Sequence, residues 1–109
     1  MTTAPFELHI EGIFPEQGRH AVICRELLRQ IPGKRRVYAA LFGDKEVIAK
    51  VYQSGFRAKS QVLDEWSKLE RLAQKGLNSP KPYFYGTSER GEWAIVVERI
   101  LNSATALEL

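Results

Sequence analysis

Residues 46–52 read Glu-Val-Ile-Ala-Lys-Val-Tyr, and five of these seven side chains suit the middle of a buried β-strand. Lys50 stands inside this apolar run, so its ammonium group needs a physical reason. Alternate residues of a strand share a face, and Lys50 therefore points to the same side as Ile48 and Tyr52. A buried ammonium group without an anion beside it is costly. The stretch therefore predicts an acidic partner on a neighbouring element.

The next element along the chain offers that partner. Residues 57–75 carry apolar side chains every three or four positions, which predicts an amphipathic helix that stops at Gly76. Glu65 lies inside the apolar stripe, where a carboxylate is as misplaced as Lys50 is in its strand. We therefore expect Lys50 and Glu65 to form an ion pair, and a purely structural pair is the plainer alternative to a functional one. Glu70 competes for the lysine but lies off the centre of the stripe.

Two β-hairpins flank the helix. The first pairs residues 35–42 with residues 46–52, and the second pairs residues 82–86 with residues 93–98. Residues 20–31 fit a helical stripe and a strand equally well, so both assignments stay open. The order of hairpin, helix and hairpin predicts an α+β fold with a mainly antiparallel sheet of about five strands and one long packed helix.

Composition narrows the class of protein. The chain has 109 residues, enough for one small domain, and none of its apolar runs is long enough to span a bilayer. A single cysteine, Cys24, excludes an internal disulfide and a zinc site built on several thiolates. Two histidines are too few and too scattered to predict a metal site. These features fit a reducing cytoplasm.

The positive charge is unevenly distributed. The net charge is +3, and basic residues cluster before the 46–52 strand, at Arg25, Arg29, Lys34, Arg35 and Arg36. Such a cluster predicts an anionic partner, namely phosphate groups, nucleic acid or a membrane surface. A solvated basic surface is the plainer interpretation.

In this order, the motifs resemble the N-terminal lobe of the protein-kinase-like fold. Lys50 looks like the lysine that contacts the α and β phosphates of ATP, and Glu65 looks like the helix glutamate that pairs with it. The segment Trp-Ala-Ile-Val-Val-Glu-Arg-Ile resembles the strand that runs into the hinge. The resemblance implies that Val97 is the gatekeeper residue and that the backbones of Glu98 and Ile100 face adenine.

More narrowly, the pieces IPGKRRVYAALF, VIAKVY, EWSKLERLAQKGLNSPKPYFYG and VVERI resemble the bacterial lipopolysaccharide kinases, which include heptose and 3-deoxy-manno-octulosonic acid kinases. The resemblance covers residues 26–109 as the lobe and leaves residues 1–25 as an N-terminal extension with an extra strand or helix. One glycine, Gly33, stands where the family's fold has a G-x-G-x-x-G loop. We expect Lys34 and Arg35 to contact phosphate there, and a plain basic turn is the alternative.

The resemblance implies a phosphotransferase that moves the γ-phosphate of ATP to a sugar hydroxyl of a glycolipid. Such an enzyme would work in the cytoplasm, in contact with the inner membrane of a Gram-negative bacterium. The sequence has no H-x-D catalytic loop and no D-F-G motif. We therefore expect no catalytic residue in this chain, Mg²⁺ held mainly by a missing C-terminal lobe, and a fragment that is inactive alone and self-associates.

Two alternatives from other functional classes stay open. A small basic α+β module could bind nucleic acid through the basic cluster and the aromatic residues Tyr83, Phe84 and Tyr85. A degenerate lobe could instead serve protein interaction through exposed apolar surface.

Overall fold

The protein is described from a computed structural model, which covers residues 5–53, 57–76 and 79–99. Its elements are β1 (Phe6–Phe14), β2 (Gly18–Ile31), β3 (Arg35–Phe42), β4 (Lys45–Tyr52), α1 (Ala58–Gln74), β5 (Pro82–Ser88) and β6 (Trp93–Glu98). All neighbouring strands are antiparallel, and they close into a barrel in the order β1-β2-β3-β4-β6-β5. Helix α1 follows β4 and precedes β5 in the chain, and it packs against the outside of the barrel.

The closed barrel overturns the predicted fold class. An α+β fold with a mainly antiparallel sheet of about five strands and one long packed helix is wrong, because six strands join edge to edge around a core and the helix has 17 residues. Strand β1 makes the difference, since it pairs with both β2 and β5. Residues 20–31, which fitted a helix or a strand, belong to β2.

Glycine at position 86 allows β1 and β5 to meet. Gly12 stands opposite Gly86 in the register of these strands. A Cβ atom added to Gly86 would lie 2.0 Å from the carbonyl oxygen of Glu11, and one added to Gly12 would lie 2.2 Å from the carbonyl oxygen of Glu16. Neither distance is tolerable. The contact at Gly86 lies across the seam between β1 and β5, so the seam requires glycine at position 86, whereas the contact at Gly12 is with the turn that follows β1.

The barrel interior is a continuous apolar core. Every strand contributes to it, and a six-stranded barrel is narrow enough for side chains to fill. The core consists of Leu8, Ile10, Val22, Cys24, Tyr38, Ala40, Val47, Ala49, Val51, Phe84, Ala94 and Val96.

A second apolar cluster lies outside the barrel, under α1. It consists of Val37, Ile48, Tyr52, Ala58, Val62, Trp66, Leu69, Ile95 and Val97. Strand β4 is therefore covered on both faces, and Val47–Tyr52 are all buried. This confirms that Ile48, Lys50 and Tyr52 face the helix. In the described parts of the chain, no helix has the length and apolar character needed to cross a bilayer.

Candidate functional site

Lys50 of β4 and Glu65 of α1 meet between the barrel and the helix. Lys50 Nζ donates a hydrogen bond to Glu65 Oε2, and the two groups form an ion pair. The lysine side chain is only 5% exposed, whereas the glutamate side chain is 22% exposed. The ammonium group is therefore almost fully removed from water, and the carboxylate keeps some contact with it. The predicted pairing is confirmed.

The surroundings of Lys50 explain why its partner must come from the helix. In the register of the sheet, Lys50 stands between Val37 of β3 and Ile95 of β6, so its neighbours on this face are apolar. On α1, Val62 and Trp66 are buried against the barrel. Glu65 lies between them along the same side of the helix, and its carboxylate reaches the lysine.

Tyr52 adds a further contact to the glutamate. Its hydroxyl donates to Glu65 Oε1 at 3.4 Å, which is long for a hydrogen bond of this type. Burial and, to a smaller extent, the charge of Glu65 raise the pKa of Tyr52 to about 12, while Arg35 opposes the shift. The hydroxyl is therefore a donor at neutral pH. The sequence analysis did not predict this role of Tyr52, although Tyr52 comes two residues after Lys50 and therefore shares its face of the strand.

The turn between β2 and β3 is shaped by a Pro-Gly pair. The backbone N–H of Lys34 donates to the carbonyl oxygen of Ile31 at 3.0 Å, and Gly33 has a φ of 77°. Proline at the second position and glycine with positive φ at the third are typical of a type II turn. The N–H of Gln53 donates to the carbonyl of Lys34 at 2.8 Å and ties the turn to the end of β4.

A cleft of about 440 Å³ separates this turn from α1. We call it the turn–helix cleft, and it is lined by Ile31, Lys34, Arg35, Tyr52, Gln61, Asp64, Glu65 and Lys68. The structure thus brings the predicted Lys34 and Arg35 to the same cleft as Glu65. Sequence reasoning missed the helix contributions from Gln61, Asp64 and Lys68. Their spacing of three or four positions along one helix face was the available signal.

The residues predicted for adenine lie elsewhere on the helix-covered face. Val97 is buried and stands opposite Ile48, one row of side chains away from Lys50. Glu98 ends β6, and its N–H donates to the carbonyl of Lys81 at 2.8 Å. Neither Val97 nor Glu98 lines the turn–helix cleft. Ile100 lies outside the described residues.

The turn–helix cleft carries more positive than negative charge. Lys34, Arg35 and Lys68 outnumber Asp64, while the charge of Glu65 is offset by Lys50. Such a site attracts oxyanions, phosphate among them. Within residues 5–53, 57–76 and 79–99, no group of three or more histidine, cysteine, aspartate or glutamate side chains is placed to hold a metal ion. In comparisons with known proteins, no family model, no curated protein and no solved structure matches the chain.

Proposed function

We propose that this chain is the ATP-binding part of a phosphotransferase similar to the bacterial lipopolysaccharide kinases. The observation that carries the proposal is the ion pair between Lys50 and Glu65, because it holds a desolvated ammonium group against a carboxylate that lines the same cleft as the basic turn. A buried ion pair is a weak source of stability, since apolar residues in its place often serve as well. Its presence under α1 therefore favours a lysine that is held ready for a ligand.

Each residue has a distinct task in this proposal. Lys50 contacts the α and β phosphates of ATP, and Glu65 holds the lysine in position. Lys34 and Arg35 approach the phosphates from the turn that Gly33 shapes. Phosphoryl transfer depends chiefly on such positioning and on stabilising the charge of the phosphates.

Adenine would lie on the apolar part of the same face. Ala39, Ile48 and Val97 stand side by side there in the registers of β3, β4 and β6, and all three are buried. Glu98 and Ile100 would present backbone groups to the edge of the base. This row of side chains is adjacent to that of Lys50 and is covered in the structure, since Ile48 and Val97 pack in the cluster under α1, so the base would have to displace part of that cover.

The proposed reaction moves the γ-phosphate to a sugar hydroxyl of a glycolipid. The catalytic base and the Mg²⁺ ligands would come from outside the residues assigned here. We place the reaction in the cytoplasm at the inner membrane of a Gram-negative bacterium. The basic residues Arg25 and Arg29 are both exposed and would meet the anionic surface there.

The nucleic-acid alternative loses part of its basis. It relied on Tyr83, Phe84 and Tyr85 as surfaces on which bases could stack. Phe84 is only 1% exposed and belongs to the barrel interior. Tyr83 and Tyr85 pack against the two apolar clusters and are half-buried.

Titration calorimetry with ATP and Mg²⁺ tests the proposal. The wild-type chain should bind ATP, and Lys50→Met should weaken binding by roughly tenfold or more, because a charge-assisted contact to phosphate is lost. Lys45→Met removes a charge from the exposed start of the same strand and should leave ATP affinity unchanged. Adenosine, which lacks phosphates, should bind both variants alike. A folded wild-type chain that fails to bind ATP would exclude the proposed function.

A further inference from the structure

The turn–helix cleft holds positive charge that its own residues do not neutralise. Lys34 and Arg35 border it on the side of the turn, and Lys68 borders it on the side of the helix. In the described part of the chain, none of these three cations has a carboxylate oxygen within 4.0 Å. Asp64 is the single acidic residue of the lining besides Glu65, whose charge Lys50 already offsets.

Arg35 also has an unused hydrogen-bond donor. Its Nε atom is buried and has no partner among the described residues. Its guanidinium carbon lies 5.9 Å from the ring centroid of Tyr52, so the group rests over a buried aromatic ring at the cleft wall. A buried donor without an acceptor is costly. An anion in the cleft would supply the acceptor that the protein does not.

The helix contributes to the cleft with one regular face. Gln61, Asp64 or Glu65, and Lys68 follow one another at helical spacing, so their side chains form a row opposite the turn. Lys68 comes three residues after Glu65. A ligand that contacts Lys68 would therefore lie directly beside the Lys50–Glu65 pair, and the cleft volume of about 440 Å³ gives it room.

We infer that the turn–helix cleft binds a phosphate chain, held by Lys34 and Arg35 from the turn and by Lys68 from α1. The inference rests on the proposed function only for the identity of the nucleoside that is attached to the phosphate chain. It adds a contact from the helix, so that the ligand joins α1 to the barrel. Phosphate bound at Lys68 holds α1 in place and thereby holds Glu65 against Lys50.

Inorganic tripolyphosphate is the probe for this inference, because it has the charge of a phosphate chain and no base. Calorimetry at low salt should show binding to the wild-type chain. Lys68→Gln should weaken it roughly five- to tenfold through the loss of one charged contact, and Lys68→Arg should restore it. Lys75→Gln removes the same charge just after the end of α1, roughly 10 Å further along the helix axis, and should change the affinity less than twofold.

The outcomes separate this inference from the proposed function. A folded wild-type chain that does not bind tripolyphosphate, or a Lys68→Gln variant that binds it as tightly as Lys75→Gln does, would overturn the phosphate cleft. Tripolyphosphate bound while ATP and adenosine are not would support the cleft and exclude the nucleotide function. Thermal unfolding of each variant serves as the control, since both glutamine variants should unfold at the same temperature as the wild type.

Discussion

Two ion pairs bridge neighbouring elements of the molecule, and their surroundings differ. The Lys50–Glu65 pair lies outside the barrel under α1, and its carboxylate borders the turn–helix cleft. The second pair joins Arg36 of β3 to Glu92, just before β6, with a distance of 3.0 Å between Nη2 and Oε2. Both pairs are largely shielded from water. They differ in the hydrogen bonds that surround them.

The pair of Arg36 and Glu92 belongs to a larger network of hydrogen bonds. Arg36 Nε donates to the hydroxyl of Tyr38 at 2.9 Å, and the hydroxyl of Ser88 accepts the backbone N–H of Glu92 at 3.2 Å. Burial acts to lower the pKa of Arg36, but the hydrogen bonds that its guanidinium donates to Glu92 and Tyr38 outweigh this effect, and the pKa is raised. These hydrogen bonds stabilise the fold, and both Arg36 and Glu92 line a cavity of about 210 Å³. Of the other pair, only Glu65 lines the turn–helix cleft.

Breaking the network around Arg36 and Glu92 should have the largest effect on the free energy of unfolding. Glu92→Gln removes the anion that faces Arg36, and we expect the free energy of unfolding to fall by about 3 kcal/mol, because a largely buried guanidinium loses its counter-charge. Urea denaturation measures this, and ATP affinity should not change. Glu89→Gln, at a side chain that is 64% exposed, is the control and should stay within about 0.5 kcal/mol of the wild type. Equal losses in both variants would contradict a stabilising role for the network.

Replacing both members of each pair with apolar residues sharpens the comparison. Lys50→Met with Glu65→Leu should change the free energy of unfolding by less than about 1 kcal/mol, because the surroundings under α1 are apolar. Arg36→Met with Glu92→Leu should cost about 2 kcal/mol, because the hydroxyl of Tyr38 loses its partner and becomes buried without one. If the first double variant loses as much unfolding free energy as the second, the Lys50–Glu65 pair stabilises the fold as the Arg36–Glu92 pair does.

The loss of stability at alkaline pH has one contribution from the barrel interior, at Cys24, and one from the helix-covered face, at Tyr52. Burial raises the pKa of the Cys24 thiol from 9.0 to about 12, against the effect of Arg36, and that of Tyr52 from 10.0 to about 12. The unfolded chain loses these protons first, so stability is complete below pH 9 and falls as the pH rises towards 12. Each group contributes a slope of at most about 1.4 kcal/mol per pH unit.

Two variants distinguish the contributions of Cys24 and Tyr52 to this loss of stability at alkaline pH. Cys24→Ala should flatten the dependence of unfolding free energy on pH from pH 9 upward, and Tyr52→Phe should flatten it only above pH 10. Urea denaturation at half-unit pH steps measures both. A Cys24→Ala curve that runs parallel to that of the wild type between pH 9 and 10 would show that the thiol does not titrate as expected.

The smallest expected effect comes from the hydroxyl of Tyr52 at neutral pH. Tyr52→Phe removes a long hydrogen bond to Glu65, so the free energy of unfolding should fall by about 0.5 kcal/mol. ATP affinity should fall roughly two- to fivefold, because Glu65 then holds Lys50 less firmly. Tyr83→Phe removes a hydroxyl from a half-buried tyrosine remote from the cleft and should leave ATP affinity as it was. Equal affinities for all three proteins would remove Tyr52 from the site.

The parts of the fold that depend on neighbours in sequence could be predicted. The hairpin of β3 and β4 follows from two apolar runs and a short turn, and α1 follows from its apolar period. Closure of the barrel could not be predicted in this way. It depends on β1 meeting β5, and the pairing of distant strands leaves little local pattern.

The site was predictable where a charge interrupts an apolar pattern. Lys50 and Glu65 both do so, and each pointed to the other. Arg36 and Glu92 do not, because one belongs to a basic cluster and the other to a turn, where charged residues are ordinary. Lys68 looked like any exposed helix residue, and only the packing of α1 beside the turn gives it a role.

The seam between β1 and β5 has a consequence for folding. The contact between His9 Nδ1 and Glu89 Oε1 beside it joins residues 80 positions apart, so the hairpins and α1 can form long before the barrel closes. Until then, β1 and β5 are unpaired edges, and edges of this kind recruit strands from other chains. A methyl group at Gly86 would keep the seam apart. Gly86 therefore allows β1 and β5 to satisfy each other's edges, which would otherwise stay available to other chains.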